Sequence, residues 1–412
     1  MGTLAKQGGP DYSARVKNTL LRAACYLALA PAAALAISPT ASAQVPGLKK
    51  PALPALPAAE EAPIALMIDM TSGQVLYSRN ADRRFMPASI TKVMTLFLAF
   101  ELMEEGKLDP GQIITPHQDT WREWSQRGSR MFLPVNAQVQ VRDLILGIAN
   151  VSANDGSIAL AEGYSGSVEA WTTAMNAKAH EIGMVDSYFS SPNGWPDEGK
   201  TFTSANDLAV LAKAMIERHP SYFSRYIGHP GFTYNGIAQP NHDPMLGKVD
   251  GADGIKTGFT NEAGYGFLGT AQRNGQRLIM VVGGVDSGRL RGELSRKFIE
   301  WGFQNFERKR LFFQGAVVAR ARVQDGSALN VDLVADRDIY VNLPRSSQQS
   351  VRVTVEYDGP LRAPFAAGEE VATMKIEAAG MQPAIIPLMA AEAVTEAGPF
   401  RRMVNGVAGW FR

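Results

Sequence analysis

A serine and a lysine three positions apart are the residues of this sequence best placed to do chemistry. Ser89 and Lys92 lie in the segment PASITK (87–92), which leads into an apolar, helix-forming run to Met103. Residues three apart share one face of a helix. A lysine kept neutral by burial or by nearby positive charge can accept the serine proton and make the hydroxyl a nucleophile. A serine at a helix start also lies near backbone N–H groups that can stabilise an oxyanion.

A second polar segment follows 63 residues after Ser89. Ser152 and Asn154 fall at the end of one predicted helix and just before another, in a loop that can direct side chains into a cleft. There the Ser152 hydroxyl can relay a proton and the Asn154 amide can hold a substrate carbonyl. Alone, each of these two short patterns fits an ordinary helix start or helix cap better than a catalytic site.

A third segment lies within a predicted strand, 104 residues beyond Ser152. Lys256 and Thr257 on that strand can fix a substrate carboxylate, and Gly258 allows close approach of the backbone. Ser-x-x-Lys, Ser-x-Asn and Lys-Thr-Gly in this order are together far more specific than any one of them. The combination is typical of β-lactamases and penicillin-binding proteins.

The elements around these segments predict an α+β fold for residues 64–308. Two strands precede the Ser89 helix, a block of helices follows it, and three strands and a closing helix complete the pattern, which favours one antiparallel sheet with helices packed against it. The predicted strands are 64–69, 74–77, 255–259, 264–272 and 278–285, and the later helices are 141–148, 156–164, 168–182, 205–217 and 290–306.

Both ends of the chain differ from this central part. Short alternating segments over 311–392 predict a small all-β sandwich domain. Residues 396–412 place apolar side chains on one side of a helical wheel and arginines on the other, which indicates either a helix lying in a membrane surface or a terminal helix docked on its own domain. Residues 1–43 resemble a cleaved secretory signal, with a retained single-span anchor as the alternative, and 44–63 form a proline-rich tether.

Composition argues against nucleic-acid binding, disulfides and a histidine-based metal site. Removing 1–43 leaves 37 Lys and Arg against 39 Asp and Glu, a net charge of −2, which offers no electrostatic footprint for nucleic acid. Cys25 is the only cysteine and lies in the signal segment, so the mature chain has no disulfide. The five histidines are scattered without metal-ligand spacing.

With the three segments in place, the sequence resembles the serine D-alanyl-D-alanine carboxypeptidases, the low-molecular-mass penicillin-binding proteins that trim peptidoglycan stem peptides. The resemblance extends to further segments: GSRMF (128–132), SPNG (191–194), TSANDLA (203–209) and VGG (282–284), which leads to Arg289. It implies a β-lactamase/transpeptidase-like catalytic domain, a β-rich second domain, and a terminal helix on the outer face of the cytoplasmic membrane of an exported, periplasmic protein.

The resemblance also implies roles for individual residues. Ser89 would be the acylated nucleophile and Lys92 its base, while Ser152, Asn154 and Lys256 would assist proton transfer and binding.

Thr257 and Gly258 complete the substrate-binding strand that the resemblance implies. The backbone N–H groups of Ser89 and Phe259 would hold the oxyanion. Many relatives carry histidine at the position of Phe259. Arg289 would help to hold the terminal carboxylate. The implied reaction releases the terminal D-Ala through an acyl-enzyme, needs no cofactor or metal, and is inhibited by β-lactams.

Three other readings compete with this one. A β-lactamase shares all three segments, but the Glu-x-x-Leu-Asn pattern of class A enzymes does not occur between Ser152 and Lys256. A D,D-endopeptidase of the same superfamily would resemble the catalytic domain without the C-terminal one. A non-catalytic peptidoglycan-binding protein would be free to lose Ser89, Lys92 and Lys256, all of which are intact here.

The stretch GYGFLG (264–269) matches the pattern of a dinucleotide-binding loop but lies within a predicted strand with no helix after it.

Overall fold

The computed structural model describes residues 61–345, 351–378 and 381–398, together with the backbone of Leu21–Leu27. In this part of the chain the helices are α1 (Lys92–Glu104), α2 (Gln118–Trp124), α3 (Val141–Val151), α4 (Asn154–Ser165), α5 (Val168–Glu181), α6 (Ala205–Arg218), α7 (Pro220–Tyr226) and α8 (Gly288–Asn305). The strands as far as α8 are β1 (Leu21–Leu27), β2 (Ile64–Asp69), β3 (Val75–Arg79), β4 (Ile113–Ile114), β5 (Val139–Gln140), β6 (Gly231–Tyr234), β7 (Ile237–Pro240), β8 (Ala252–Thr260), β9 (Gly264–Arg273) and β10 (Gln276–Val285). After α8 come β11 (Phe306–Phe312), β12 (Val317–Gln324), β13 (Asn330–Val334), β14 (Ile339–Pro344), β15 (Val351–Tyr357), β16 (Leu361–Arg362), β17 (Glu370–Ala378) and β18 (Ala384–Ala390).

The central sheet is antiparallel and has the order β3-β2-β10-β9-β8. The N-terminal hairpin therefore pairs with strands that follow it by about two hundred residues, and the helical block lies between them in sequence. This arrangement confirms the α+β fold expected from the order of elements. It also places β8, which bears Lys256, at an edge of the sheet.

Alternation along the strands creates a separate hydrophobic core on each face of this sheet. Successive side chains of a strand point to opposite faces. In β2, Leu66 belongs to the core that contains the helices of the central block, whereas Met67 belongs to the core that contains Phe298 of α8. The sheet is therefore the middle of three layers, and α1 is buried between the sheet and the other helices.

The C-terminal part of the chain is all-β and has its own hydrophobic core. Its main sheet has the order β1-β15-β17-β18-β13-β12-β16, and the ribbon of β11 and β14 adds residues such as Val341 to the same core. The strand Leu21–Leu27 pairs antiparallel with Val351–Tyr357. A mature chain that begins near Gln44 would leave Val351–Tyr357 as the edge of this sheet.

A buried polar cluster joins the two domains. Asn342 of β14 is fully buried and donates from its backbone N–H to Gln74 Oε1 and from Nδ2 to Ser72 Oγ, at 2.8 Å for the second bond. Gln276 Nε2 donates to Asn342 Oδ1 at 3.0 Å. Because a buried amide that loses its partners costs free energy, these bonds fix the C-terminal domain against the turn between β2 and β3.

Three predicted segments at the ends of the chain fall mostly outside the described residues. Of the signal segment (1–43) only the backbone of Leu21–Leu27 is described. Of the tether (44–63) only 61–63 are described, and of the terminal helix (396–412) only 396–398. Within the described residues, no helix is both long enough and apolar enough to cross a bilayer.

Candidate active site

Ser89 lies in a tight turn of 3-10 helix, Ala88–Thr91, directly before α1. Residues three apart are eclipsed in this tighter helix, so the Ser89 and Lys92 side chains leave it in the same direction. Lys92 Nζ lies 3.0 Å from Ser89 Oγ. Ala88 adopts a left-handed conformation with φ of +50°, a strained geometry at the residue before the serine.

Lys92 is fully buried, and its amine contacts three oxygens. Besides Ser89 Oγ, Nζ donates to Asn154 Oδ1 at 2.7 Å and to the carbonyl of Asn193 at 2.6 Å. Burial holds the pKa of Lys92 well below its ordinary value, and the nearby Lys256 lowers this pKa further, while Asp155 opposes the shift. Burial beside a second lysine therefore favours the neutral form of the Lys92 amine.

The second segment reaches the cleft because of a sharp turn between two helices. Ser152 ends α3 in the left-handed region with φ of 61°, and Asn154 begins α4. The neighbouring Asp155 is buried and accepts hydrogen bonds from the backbone N–H groups of Met131 and Leu133 at 3.0 and 3.1 Å. These bonds anchor the preceding loop beside the site, although burial raises the pKa of the Asp155 carboxyl.

The third segment forms the opposite wall. Lys256 and Thr257 are buried in β8, and Lys256 Nζ donates to the Thr257 carbonyl at 3.1 Å. A Cβ atom on Gly258 would lie 2.5 Å from the carbonyl oxygen of Pro87, so only glycine lets this strand pack against the serine turn. Burial lowers the pKa of Lys256 to about 7, with Arg291 adding to the shift and Asp243 opposing it.

These three segments meet in one cavity of about 730 Å³. Ser89, Ser152, Asn154, Thr257, Gly258 and Phe259 all line it, and Lys92 and Lys256 lie buried beside it. Residues that are separated by more than 160 positions in the sequence are thus brought together around one hydroxyl group.

Arg289 is the one predicted site residue that lies elsewhere. Its side chain is 79% exposed and pairs with Glu293 at 2.7 Å. Arg291 lines the cavity instead. Residues two apart in a helix point to nearly opposite sides, so Arg289 and Arg291 lie on different faces of α8. The geometry does not support the role expected for Arg289.

Several cavity residues were not assigned a role by the sequence reasoning. Asn193 and Gly194 belong to the segment SPNG, and the conformation of Gly194, with φ of +71°, lets this segment touch the serine turn. His242 opens on the cleft, and its pKa is lowered by desolvation and then by the nearby Lys256 and Arg291. The sequence gave no indication that His242 lies at the site, because the histidines are scattered along the chain. The segment SPNG, which contains Asn193 and Gly194, was recognised in the sequence but given no role.

The described part of the chain contains no cluster of metal-ligating side chains. No group of three or more His, Cys, Asp or Glu side chains there is placed to hold a metal ion. The stretch 264–269 lies within β9 and is followed by β10, as its sequence context predicts.

Comparison with known proteins agrees with this geometry. The family described as D-alanyl-D-alanine carboxypeptidase matches residues 52–287, and the C-terminal domain of penicillin-binding protein 5 matches residues 306–396. This chain belongs to the D-alanyl-D-alanine carboxypeptidase family. The D-alanyl-D-alanine carboxypeptidase DacA of Haemophilus influenzae is 33% identical over 82% of this chain and 86% of its own length.

Solved structures of penicillin-binding proteins have the same fold. Penicillin-binding protein 5 from Haemophilus influenzae aligns with a TM-score of 0.72 at 32% identity and covers 85% of this chain and 100% of that one. Penicillin-binding protein D2 from Listeria monocytogenes, solved in an ampicillin-bound form, aligns with a TM-score of 0.54 at 30% identity, over 59% of this chain and 98% of that one. The match of the C-terminal domain distinguishes this carboxypeptidase from a β-lactamase built on the catalytic fold alone.

Proposed function

We propose that this carboxypeptidase is a serine enzyme that removes the terminal D-Ala of peptidoglycan stem pentapeptides through an acyl-enzyme on Ser89. The observation that supports this most directly is the set of contacts around the Lys92 amine. A neutral amine has two N–H groups and one lone pair. The side-chain oxygen of Asn154 and the backbone carbonyl oxygen of Asn193 accept hydrogen bonds from the two N–H groups. The lone pair is then left to face the Ser89 hydroxyl, whose Oγ lies 3.0 Å from Nζ.

In the first step the Ser89 hydroxyl donates its proton to Lys92 Nζ while Oγ attacks the carbonyl carbon of the penultimate D-Ala. The lowered pKa of Lys92 supports this role, since it favours the neutral amine, the form that can accept a proton. The backbone N–H groups of Ser89 and Phe259 are proposed to hold the oxyanion of the tetrahedral intermediate. Two observations support this pairing: Gly258 packs closely on the serine turn, and Ser89 and Phe259 both line the cavity.

In the second step the C–N bond breaks and the leaving amine of the terminal D-Ala takes a proton. Ser152 lines the cavity beside Asn154 and is the group proposed to pass this proton from Lys92. Water then attacks the acyl ester while Lys92 accepts one of its protons. Lys92 returns this proton to Ser89 Oγ as the ester C–O bond breaks, which frees the Ser89 hydroxyl and releases the shortened peptide as its carboxylate.

The substrate carboxylate is assigned to the cationic wall of the cleft. Lys256 and Thr257 on β8 are proposed to bind it, and Arg291 takes the place first expected for Arg289. Lys256 and Arg291 lie close enough to His242 to lower its pKa, and Arg291 also lowers the pKa of Lys256, so positive charge on this wall attracts an anion. The same wall would bind the carboxylate of a β-lactam, which is proposed as an inhibitor.

The enzyme is further proposed to be exported and to act at the outer face of the cytoplasmic membrane. The signal-like segment 1–43 and the amphipathic segment 396–412 support this placement. Determining the N-terminal residue of the protein recovered from the periplasm tests the first part, with Gln44 expected.

Release of D-Ala tests the proposed activity. Protein lacking residues 1–43 is incubated with a pentapeptide ending in D-Ala-D-Ala, and free D-Ala is measured for the wild type and for Ser89→Ala. We expect release from the wild type alone. Cleavage of a cross-linked dimeric peptide in preference to the pentapeptide would favour the endopeptidase alternative, and binding without cleavage of either would favour a non-catalytic role.

A further inference from the structure

Two large aromatic side chains are exposed at the mouth of the cleft. Trp195 is 36% exposed and Phe259 is 46% exposed, and both line the cavity that contains Ser89. Neither ring belongs to the three hydrophobic cores of the described residues. Exposure of apolar surface costs free energy in water, and exposed apolar patches often mark ligand-binding grooves. Two exposed rings beside a nucleophile therefore indicate a binding surface.

Trp195 is held in place by contacts with the helical side of the cleft. Its ring packs edge-to-face on the buried Trp124 of α2, with centroids 5.4 Å apart. It also covers Gly128, where an added Cβ would lie 3.0 Å from the indole. The loop that bears Trp195 is closed by Asp197, which accepts hydrogen bonds from the backbone N–H and the hydroxyl of Thr201. The indole is therefore fixed before any ligand arrives.

Phe259 is held by the sheet side of the cleft. It lies directly opposite Tyr265 in the pairing of β8 with β9, and the two rings stack with centroids 4.1 Å apart and planes 25° apart. The Arg291 guanidinium lies over the Tyr265 ring, 5.8 Å from its centroid. The phenyl ring is thus held on β8, the strand proposed to bind the substrate carboxylate.

We propose that Trp195 and Phe259 form an apolar entrance to the cleft that selects among acyl donors. Selection acts on the acyl group attached to the amide nitrogen of the residue whose carbonyl is attacked. The inference rests on the proposed function, since it concerns the same acylation of Ser89. Rigid aromatic faces on both walls bind an extended apolar or aromatic group and gain little from a small one. The ligand class is therefore an acyl donor with a long methylene chain or a ring on its donor side.

A matched pair of penicillins tests this selection. Benzylpenicillin bears a phenylacetyl side chain, and its analogue with an acetyl group has the same amide without the ring. The second-order rate constant of acylation is measured for both reagents with the wild type, Trp195→Ala, Phe259→Ala and the conservative Trp195→Phe. We expect the wild type to prefer benzylpenicillin and each alanine variant to lose roughly tenfold of that preference, with most of it kept in Trp195→Phe.

Val185→Ala is the control, because Val185 is 76% exposed and does not line the cavity. It should keep the wild-type preference, and thermal unfolding of each variant checks that it is folded. Equal preference in the wild type and both alanine variants, or an equal loss of rate with both reagents, overturns the inference alone. If the wild type reacts with neither penicillin, the proposed function fails and the inference fails with it.

Discussion

Replacing Gly194 by alanine should disable the site without touching a reacting group. A Cβ at this position would lie 1.8 Å from the carbonyl oxygen of Ala88 and 2.7 Å from Thr91 Oγ1. The first neighbour is backbone, so it cannot rotate away. The segment that contains Gly194 must move by about 1.2 Å from the serine turn for the first contact to reach 3.0 Å.

The size of the effect follows from the neighbouring residue. The Asn193 carbonyl accepts from Lys92 Nζ at 2.6 Å, and the same movement takes this distance beyond hydrogen-bonding range. Leaving these buried groups without a partner costs about 1 to 3 kcal/mol. The left-handed backbone adds about 1 kcal/mol for alanine. We expect the free energy of unfolding to fall by about 2 to 4 kcal/mol and acylation to slow by about 100-fold, since small misplacements of catalytic groups have effects of that order.

Gly199→Ala is the matched control on the same loop. Gly199 also has a left-handed backbone, with φ of +80°, but an added Cβ would meet nothing within 4 Å. This variant should lose about 1 kcal/mol of stability and acylate as fast as the wild type. The assay is the rate of labelling by a fluorescent penicillin, with chemical unfolding measured in parallel. Equal labelling rates for Gly194→Ala and Gly199→Ala would refute the reasoning.

Three other substitutions test separate parts of the structure. Gly258→Ala should push β8 from the serine turn, because its Cβ would lie 2.5 Å from the Pro87 carbonyl, and slow penicillin labelling about tenfold or more; an unchanged rate would contradict the packing. Lys256 has a pKa of about 7 in the folded protein against an ordinary 10.5, so the unfolded chain binds more protons between these values and stability should rise with pH across that window. Lys256→Met should weaken this rise and stabilise the protein by about 1 to 4 kcal/mol below pH 7, measured by urea unfolding at several pH values, and a slope equal to that of the wild type would count against it. Asn342→Ala should cost about 2 to 3 kcal/mol and separate the unfolding of the two domains in calorimetry, whereas a single unshifted transition would show that the polar cluster does not couple them.

The sequence pattern predicted the elements that have a clear apolar run. Strand β2 was predicted at its observed bounds because its apolar residues are bounded by a turn, and the antiparallel sheet followed from the order of strands and helices. Strand β11 was missed, since its sequence FERKRLF is rich in charge and follows a helix without a glycine or proline between them. Its pairing with β14 depends on residues far along the chain.

The site was predictable where short segments contain the chemistry and was not where a contact joins distant residues. Ser89 and Lys92 are local neighbours, so their spacing shows that they meet. The Asn193 carbonyl reaches Lys92 across 101 positions, and no periodicity reports such a contact. The exchange of Arg289 for Arg291 depends on the rotation of α8, which a motif alone does not determine.

The most direct test of the central claim is the mass of the acylated protein. Protein lacking residues 1–43 is treated with benzylpenicillin, measured intact, and digested with trypsin. We predict one added antibiotic, located on Ser89 in the tryptic peptide 85–92, and no addition in Ser89→Ala. An adduct on another residue, or an adduct that persists in Ser89→Ala, would contradict the assignment of Ser89 as the nucleophile.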